Sequence, residues 1–189
     1  MGVKYVTAYA FSTENWSRPQ EEVDYIMNLL RTYLKDSLKN AKKDNMRVCV
    51  IGSRERLSDD IVKHIEVLEE QSKGYTGLQL NIAINYGGRD ELVRATKRLG
   101  HALQAGELTV EGISETTIAS FLDTYPCPDP ELLIRTSGEA RISNFLLWQL
   151  AYSEFYFSDL LWPDFNDDEL FKAIIYFNKR ERRFGGLTE

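Results

Sequence analysis

Two hydrophobic periods alternate along this chain. The runs VKYVTAYA (residues 3–10), MRVCVI (46–51), LQLNIAI (78–84), ELLI (131–134) and SEFYF (153–157) are short and rich in β-branched and aromatic side chains. They predict five strands. Between them, apolar positions recur at spacings of three and four. Val23, Ile26, Met27, Leu30, Tyr33, Leu34 and Leu38 predict a long helix over 19–43. Pro19 and the pair Glu21–Glu22 suit its start, where a missing donor does no harm and negative charge meets the positive end of the helix dipole. Further helices are expected over 57–73, 89–104, 114–124 and 167–182. Strands alternating with helices at this spacing indicate an α/β fold, a mostly parallel central sheet flanked by helices. No repeat, low-complexity stretch or linker interrupts the pattern, which predicts a single domain over 1–189.

Composition narrows the function classes. A chain of 189 residues buries about 70% of its unfolded surface, so it needs no disulfide or metal staple to fold. A net charge of −6 argues against nucleic acid as a partner. The two cysteines, Cys49 and Cys127, form no CxxC or Cys/His cluster, which excludes the usual zinc arrangements and suits thiols in a reducing cytoplasm. No apolar run approaches the ~18 residues of a membrane span, and the expected location is cytoplasmic.

In open parallel sheets, ligands bind beyond the carboxyl ends of the strands. The segment after the first strand is FSTENWSRP, with Arg18. The second leads into GSRER, with Arg54 and Arg56, and the third into NYGGRDE, with Arg89. The fourth leads into RTSGEARISN, with Arg135 and Arg141. An acidic protein thus gathers arginines where a ligand would sit. Arginine grips phosphate through a planar fork of donors, and Gly87–Gly88 and Ser137–Gly138 let backbone amides approach an anion. No GxxxxGK[ST] and no GxGxxG follows a strand, so neither a P-loop nor a dinucleotide site is supported. His64 and His101 fall in helical patterns and read as packed or surface residues.

The aromatic stretch from Phe145 to Phe157 reads mainly as core, yet arginines beside a large apolar region also suit a ligand with a diphosphate head and a greasy tail. Glu154 is a lone carboxylate among these aromatics. A buried carboxylate must be paired or metal-bound, and beside a diphosphate its natural partner is Mg²⁺.

The segments YAFSTENWSRP, LNIAINYGGRDEL, ELLIRTSGEARISNFLLWQLAYSEFYF, LWPDF and RERRFGG together resemble the cis-prenyltransferases, of the undecaprenyl diphosphate synthase type, over essentially the whole chain. Enzymes of the trans type use DDxxD motifs, and Asp59–Asp60 and Asp167–Asp168 lack the third Asp at that offset.

The resemblance implies condensation of isopentenyl diphosphate with an allylic diphosphate such as farnesyl diphosphate, with Mg²⁺ as cofactor. It implies that Arg135, Arg141 and Ser143 grip the diphosphate of isopentenyl diphosphate and that Glu154 helps hold the metal. Asn15 is implied as catalytic. Ser12, Trp16 and Arg18, with Glu22 beyond them, are implied to lie in a segment that closes over substrate. Arg183 and Gly185 match an Arg-x-Gly element that approaches the partner's site in a homodimer. The lipid product implies peripheral contact with a membrane.

Relatives open with a strand followed by Asp-Gly-Asn-Gly-Arg-Trp, and no such string occurs in these 189 residues. The expected fold therefore lacks that first strand and its helices, and the alternative function is a non-catalytic partner subunit.

Overall fold

The structure, a computed structural model, describes residues 2–180. Its elements are β1 (Tyr5–Ser12), a 3-10 turn (Thr13–Ser17), α1 (Gln20–Lys43), β2 (Arg47–Ile51), α2 (Asp59–Ser72), β3 (Gln79–Tyr86), α3 (Gly88–Gln104), α4 (Glu115–Ser120), β4 (Leu132–Arg135), β5 (Glu154–Phe157) and α5 (Asp167–Asn178). They form two compact units, Met1–Pro128 and Asp129–Glu189. All the strand pairs are parallel, as expected. They make a three-stranded sheet in the first unit and a two-stranded one in the second.

In the first unit the strand order is β1-β3-β2. Parallel neighbours need a crossover between them, and α1 and α2 supply it. Val23, Met27, Leu30, Leu34 and Ala41 of α1 and Ile61, Ile65 and Leu68 of α2 pack with Phe11, Val48, Val50, Ile82 and Ile84 of the strands into one core. Each large member contributes about 1.5–3 kcal/mol by leaving water. Tyr33 follows the same helical period but lies exposed, with Tyr25 and Leu29, along another side of α1.

β1 runs two residues later than the apolar pattern predicts, because pairing with β3 continues past Ala10. Tyr9 pairs with Ala83, Phe11 with Ile84 and Ser12 with Tyr86. Ala10 is thus an extra residue on β1 and Asn85 an extra residue on β3. The two irregularities carry Phe11 into the core at 1% exposure.

α4 ends at Ser120 rather than near 124. The following turn is claimed by another interaction: Asp123 donates its backbone N–H to Glu91 Oε1 (2.9 Å) and its carboxylate accepts from Arg94. A helix continuing through 124 could not supply both.

In the second unit, β4 and β5 pair from Leu132↔Glu154 to Arg135↔Phe157. Asn166 caps α5 by accepting the Glu169 N–H (3.1 Å). The Glu169 carboxylate in turn accepts from Tyr156 Oη (2.9 Å), Ser158 Oγ (2.8 Å) and Lys172 Nζ (3.0 Å), which ties the helix start to the end of β5. The last helical residue is Asn178 rather than 182. None of the described helices is long and apolar enough to cross a membrane.

Candidate functional site

The three parallel strands of the first unit end on the same edge, which brings the Thr13–Ser17 turn, the Gly52–Leu57 turn and the start of α3 together. The strand-to-turn switch at Ser12 has a local cause. Asn15 Oδ1 accepts the Ser12 backbone N–H (2.8 Å), and Asn15 O accepts the Arg18 N–H (3.1 Å), closing a compact turn. Asn15 therefore shapes the loop that carries it, while among the described residues its Nδ2 donates to nothing.

Trp16, half-buried, turns back toward the sheet. Its ring meets Phe11 edge-on at 5.0 Å, its Nε1–H donates to Asn85 Oδ1 (2.7 Å), and the Arg56 guanidinium lies 4.4 Å from its centre. Trp16, Val23, Met27, Arg31 and Arg56 line a pocket of about 390 Å³. Arg18 pairs with Glu22 one helical turn on, both exposed.

Not every arginine that follows these strands faces outward. Arg54 turns inward, donating to Val50 O (2.9 Å) and pairing with Glu69 (3.4 Å), whose carboxylate also accepts the Val50 N–H (2.7 Å). It clamps the end of β2 to α2. Arg56 stacks on Trp16, and Arg89 is exposed. Arg18, Arg56 and Arg89 are exposed at this edge.

Beneath the edge lies a polar network that the sequence reading missed. Glu91 is 0% exposed; its Oε2 accepts from Tyr86 Oη (2.7 Å) and its Oε1 from Asp123 N. Asp123 binds Arg94 through both oxygens (2.7 and 2.6 Å) and accepts the Gly52 N–H (3.2 Å). Burial pushes the Tyr86 phenol up, and the adjacent Glu91 carboxylate pushes it further. Acidic residues in a first helical turn read from sequence as dipole partners, so nothing local marked Glu91 as buried. His64, by contrast, stays within α2, its Nδ1 2.6 Å from Asp60 O, as read from its helical position.

In the second unit, Arg135 ends β4. Its Nε is buried and has no hydrogen-bond partner among the described residues. Buried polar atoms of this kind are uncommon and call for an acceptor. The following segment holds Ser137, Gly138, Ser143, Asn144 and Leu146 at positive φ. Left-handed non-glycine residues of this kind cost about 1–3 kcal/mol each and cluster at ligand clamps. Ser143 and Arg141 are exposed, and Arg141 pairs with Glu139.

Glu154 opens β5, and its Oε2 accepts from Arg180 Nε (3.0 Å). The carboxylate expected to hold metal is thus neutralised by a cation. Among the described residues no group of three metal-binding side chains occurs. These residues do not make an all-protein metal cage; an ion held through Glu154 would have to compete with Arg180 and take its other ligands from diphosphate and water. Arg183 and Gly185 lie outside the described residues.

Comparison with known proteins agrees with this arrangement. Residues 1–185 match the prenyltransferase family described as undecaprenyl diphosphate synthase. The isoprenyl transferase of Bacillus anthracis is 50% identical over 187 residues, covering 99% of this chain and 72% of its own length. That of Rhizobium meliloti (strain 1021) is 49% identical over 189 residues, covering 100% and 76%. Lavandulyl diphosphate synthase from Lavandula x intermedia, solved with dimethylallyl diphosphate, superposes with a TM-score of 0.93 at 34% identity, over 97% of this chain and 80% of that one. A probable undecaprenyl diphosphate synthase from Campylobacter jejuni gives 0.86 at 40% identity, over 96% and 83%. With strand-end loops rich in arginine, a left-handed segment after β4 and half of its residues shared with isoprenyl transferases, the chain belongs to the undecaprenyl diphosphate synthase family of prenyltransferases.

Proposed function

We infer that this prenyltransferase condenses isopentenyl diphosphate with an allylic diphosphate, farnesyl diphosphate being the reference substrate, and lengthens a polyprenyl diphosphate with new cis double bonds. The observation that carries the reading is the buried, unpartnered Nε of Arg135 beside a run of left-handed residues. A diphosphate oxygen is the acceptor such a donor lacks. Retention of a buried guanidinium nitrogen without a partner among the described residues is hard to explain in a purely scaffolding subunit. The relatives named for transfer activity also favour the enzyme over a non-catalytic partner subunit. The lavandulyl diphosphate synthase structure contains an allylic diphosphate, which supports that substrate class.

In this reading Arg135, Arg141 and Ser143 hold the diphosphate of isopentenyl diphosphate. Ser12, Asn15 and Arg18 meet the allylic diphosphate, with Trp16 on the prenyl side. The allylic carbon–oxygen bond breaks, the alkene of isopentenyl diphosphate supplies the electron pair of the new carbon–carbon bond, and a proton leaves the adjacent carbon. Fixed guanidinium groups stabilise the charge that develops on the leaving diphosphate. Glu154 would hold Mg²⁺, which when bound adds Lewis-acid stabilisation of that leaving group. Asn15, with an amide donor still available among the described residues, would steady the departing diphosphate. Assembly as a homodimer and the cytoplasmic location belong to the same reading.

Arg135→Ala should weaken isopentenyl diphosphate binding by about 1.5–3 kcal/mol, the usual worth of a hydrogen bond to a charged group. Titration calorimetry measures it. The melting temperature should fall little, because among the described residues no hydrogen bond to the Arg135 Nε is lost. An unchanged dissociation constant would sink the assigned role. Turnover is tested directly by incubating the protein with farnesyl diphosphate, labelled isopentenyl diphosphate and Mg²⁺. Extended butanol-soluble product is expected, and its absence would return the partner-subunit reading.

A further inference from the structure

Asn85 occupies an unusual position. It is a non-glycine residue at φ +49°, 4% exposed, and the unpaired extra residue on β3 where that strand meets β1. Irregularities of this kind re-aim a side chain and are frequent beside active sites. Here the side chain is aimed between two loops, and its hydrogen-bonding groups are all used. Oδ1 accepts from Trp16 Nε1 (2.7 Å), while Nδ2 donates to Ser53 O (3.1 Å) and Glu55 O (2.7 Å). Its own carbonyl accepts the Ser53 N–H (3.1 Å). On the far side, Arg56 leaves the second loop at φ +66° to lie over the same indole.

We propose that Asn85 is a positioning residue that latches Trp16, and with it the Ser12–Arg18 loop, to the Ser53–Arg56 turn. Its place at the centre of all three strand ends makes the two loops one mechanical unit. The loop carrying Asn15 and Arg18 then takes one position relative to Arg56 when substrate arrives. The catalytic part of this rests on the prenyl-transfer reading above. The latch itself does not, and the two are tested separately.

The latch is read in the free protein by ¹⁵N NMR of the three tryptophan indoles. The Nε1–H of Trp16 should exchange with solvent at least 10-fold more slowly than that of Trp162, which is 70% exposed. Asn85→Gly keeps the left-handed backbone free of strain and removes the amide. It should accelerate Trp16 exchange at least 10-fold and leave α3 amide protection unchanged. Asn85→Asp, which retains an acceptor for Trp16 but faces two carbonyls with an oxygen, serves if the glycine variant does not fold. It should broaden the amide signals of Ser53–Arg56. Wild-type Trp16 exchanging as fast as Trp162 would overturn the latch.

In turnover, Asn85→Gly and Trp16→Phe should each lower kcat/KM for farnesyl diphosphate about 10-fold, with KM for isopentenyl diphosphate unchanged. The double variant should be no worse than the poorer single one, because both break the same link. Additive losses, or losses that track the melting temperature, would overturn the positioning role. A wild type without turnover would count against the prenyl-transfer reading, and indole exchange would still decide the latch.

Discussion

Gly52→Ala is expected to prevent the first unit from folding stably, with a loss of about 4 kcal/mol or more, at the extreme of single-substitution effects. Gly52 follows β2 directly and adopts φ +112°, where L side chains are strained. The steric problem is larger still. A β-carbon would sit 2.1 Å from Ile84 O and 3.0 Å from Asn85 O, and both are backbone atoms of the central strand that cannot swing aside. Moving Gly52 outward would break its N–H bond to Asp123 and the Ser53 N–H bond to Asn85 O. Urea unfolding followed by far-UV circular dichroism would measure the loss, or soluble yield if the variant does not survive expression. A variant as stable as the parent would mean that β2 and β3 do not approach each other as described.

The second large effect is expected at Asp123. Its carboxylate accepts from the two terminal nitrogens of Arg94, whose Nε donates to Asp90 (2.7 Å), from Arg98 (3.1 Å) and from the Gly52 N–H. Its side chain is 11% exposed and that of Arg94 21%. Asp123→Ala leaves Arg94 without its main partner, and breaking a pair buried to this degree costs about 3 kcal/mol.

The same group sets an acid limit. Burial pushes the Asp123 carboxyl up, but the Arg94 and Arg98 guanidinium groups overcome that and hold it below its ordinary value. A carboxyl depressed in the folded state contributes stability above its unfolded value of about 3.9. That contribution is lost as pH falls through the lower folded value. Urea midpoints taken from pH 5 down to pH 2.5 should fall more steeply for the wild type than for Asp123→Asn, which starts lower and varies less. Parallel curves would remove Asp123 from the acid response.

What could be read from the residues alone follows from how local each cause is. The five strands and the long helix were legible because their signals, β-branched runs and a 3.6-residue period, act within a few residues. Pro19 before Glu21–Glu22 marked a helix start for the same reason. Family membership was legible because several long segments, among them LNIAINYGGRDEL and ELLIRTSGEARISNFLLWQLAYSEFYF, occur together in one chain. Arg54 and Arg135 show the limit. Both stand at or just after a strand end and look alike in sequence, and each keeps one buried nitrogen without a partner among the described residues, yet Arg54 is also tied to Val50 O and Glu69.

The sequence by itself determined the order and type of the elements and the edge where polar residues gather, since propensity and periodicity are properties of neighbouring residues. Only the tertiary structure decided which side chains face one another across that edge. Asn85 meets Trp16 from 69 positions away and Asp123 meets Gly52 from 71. Such pairings depend on strand register and on one extra residue in β3, quantities fixed when separate elements pack and carried by no single stretch of chain.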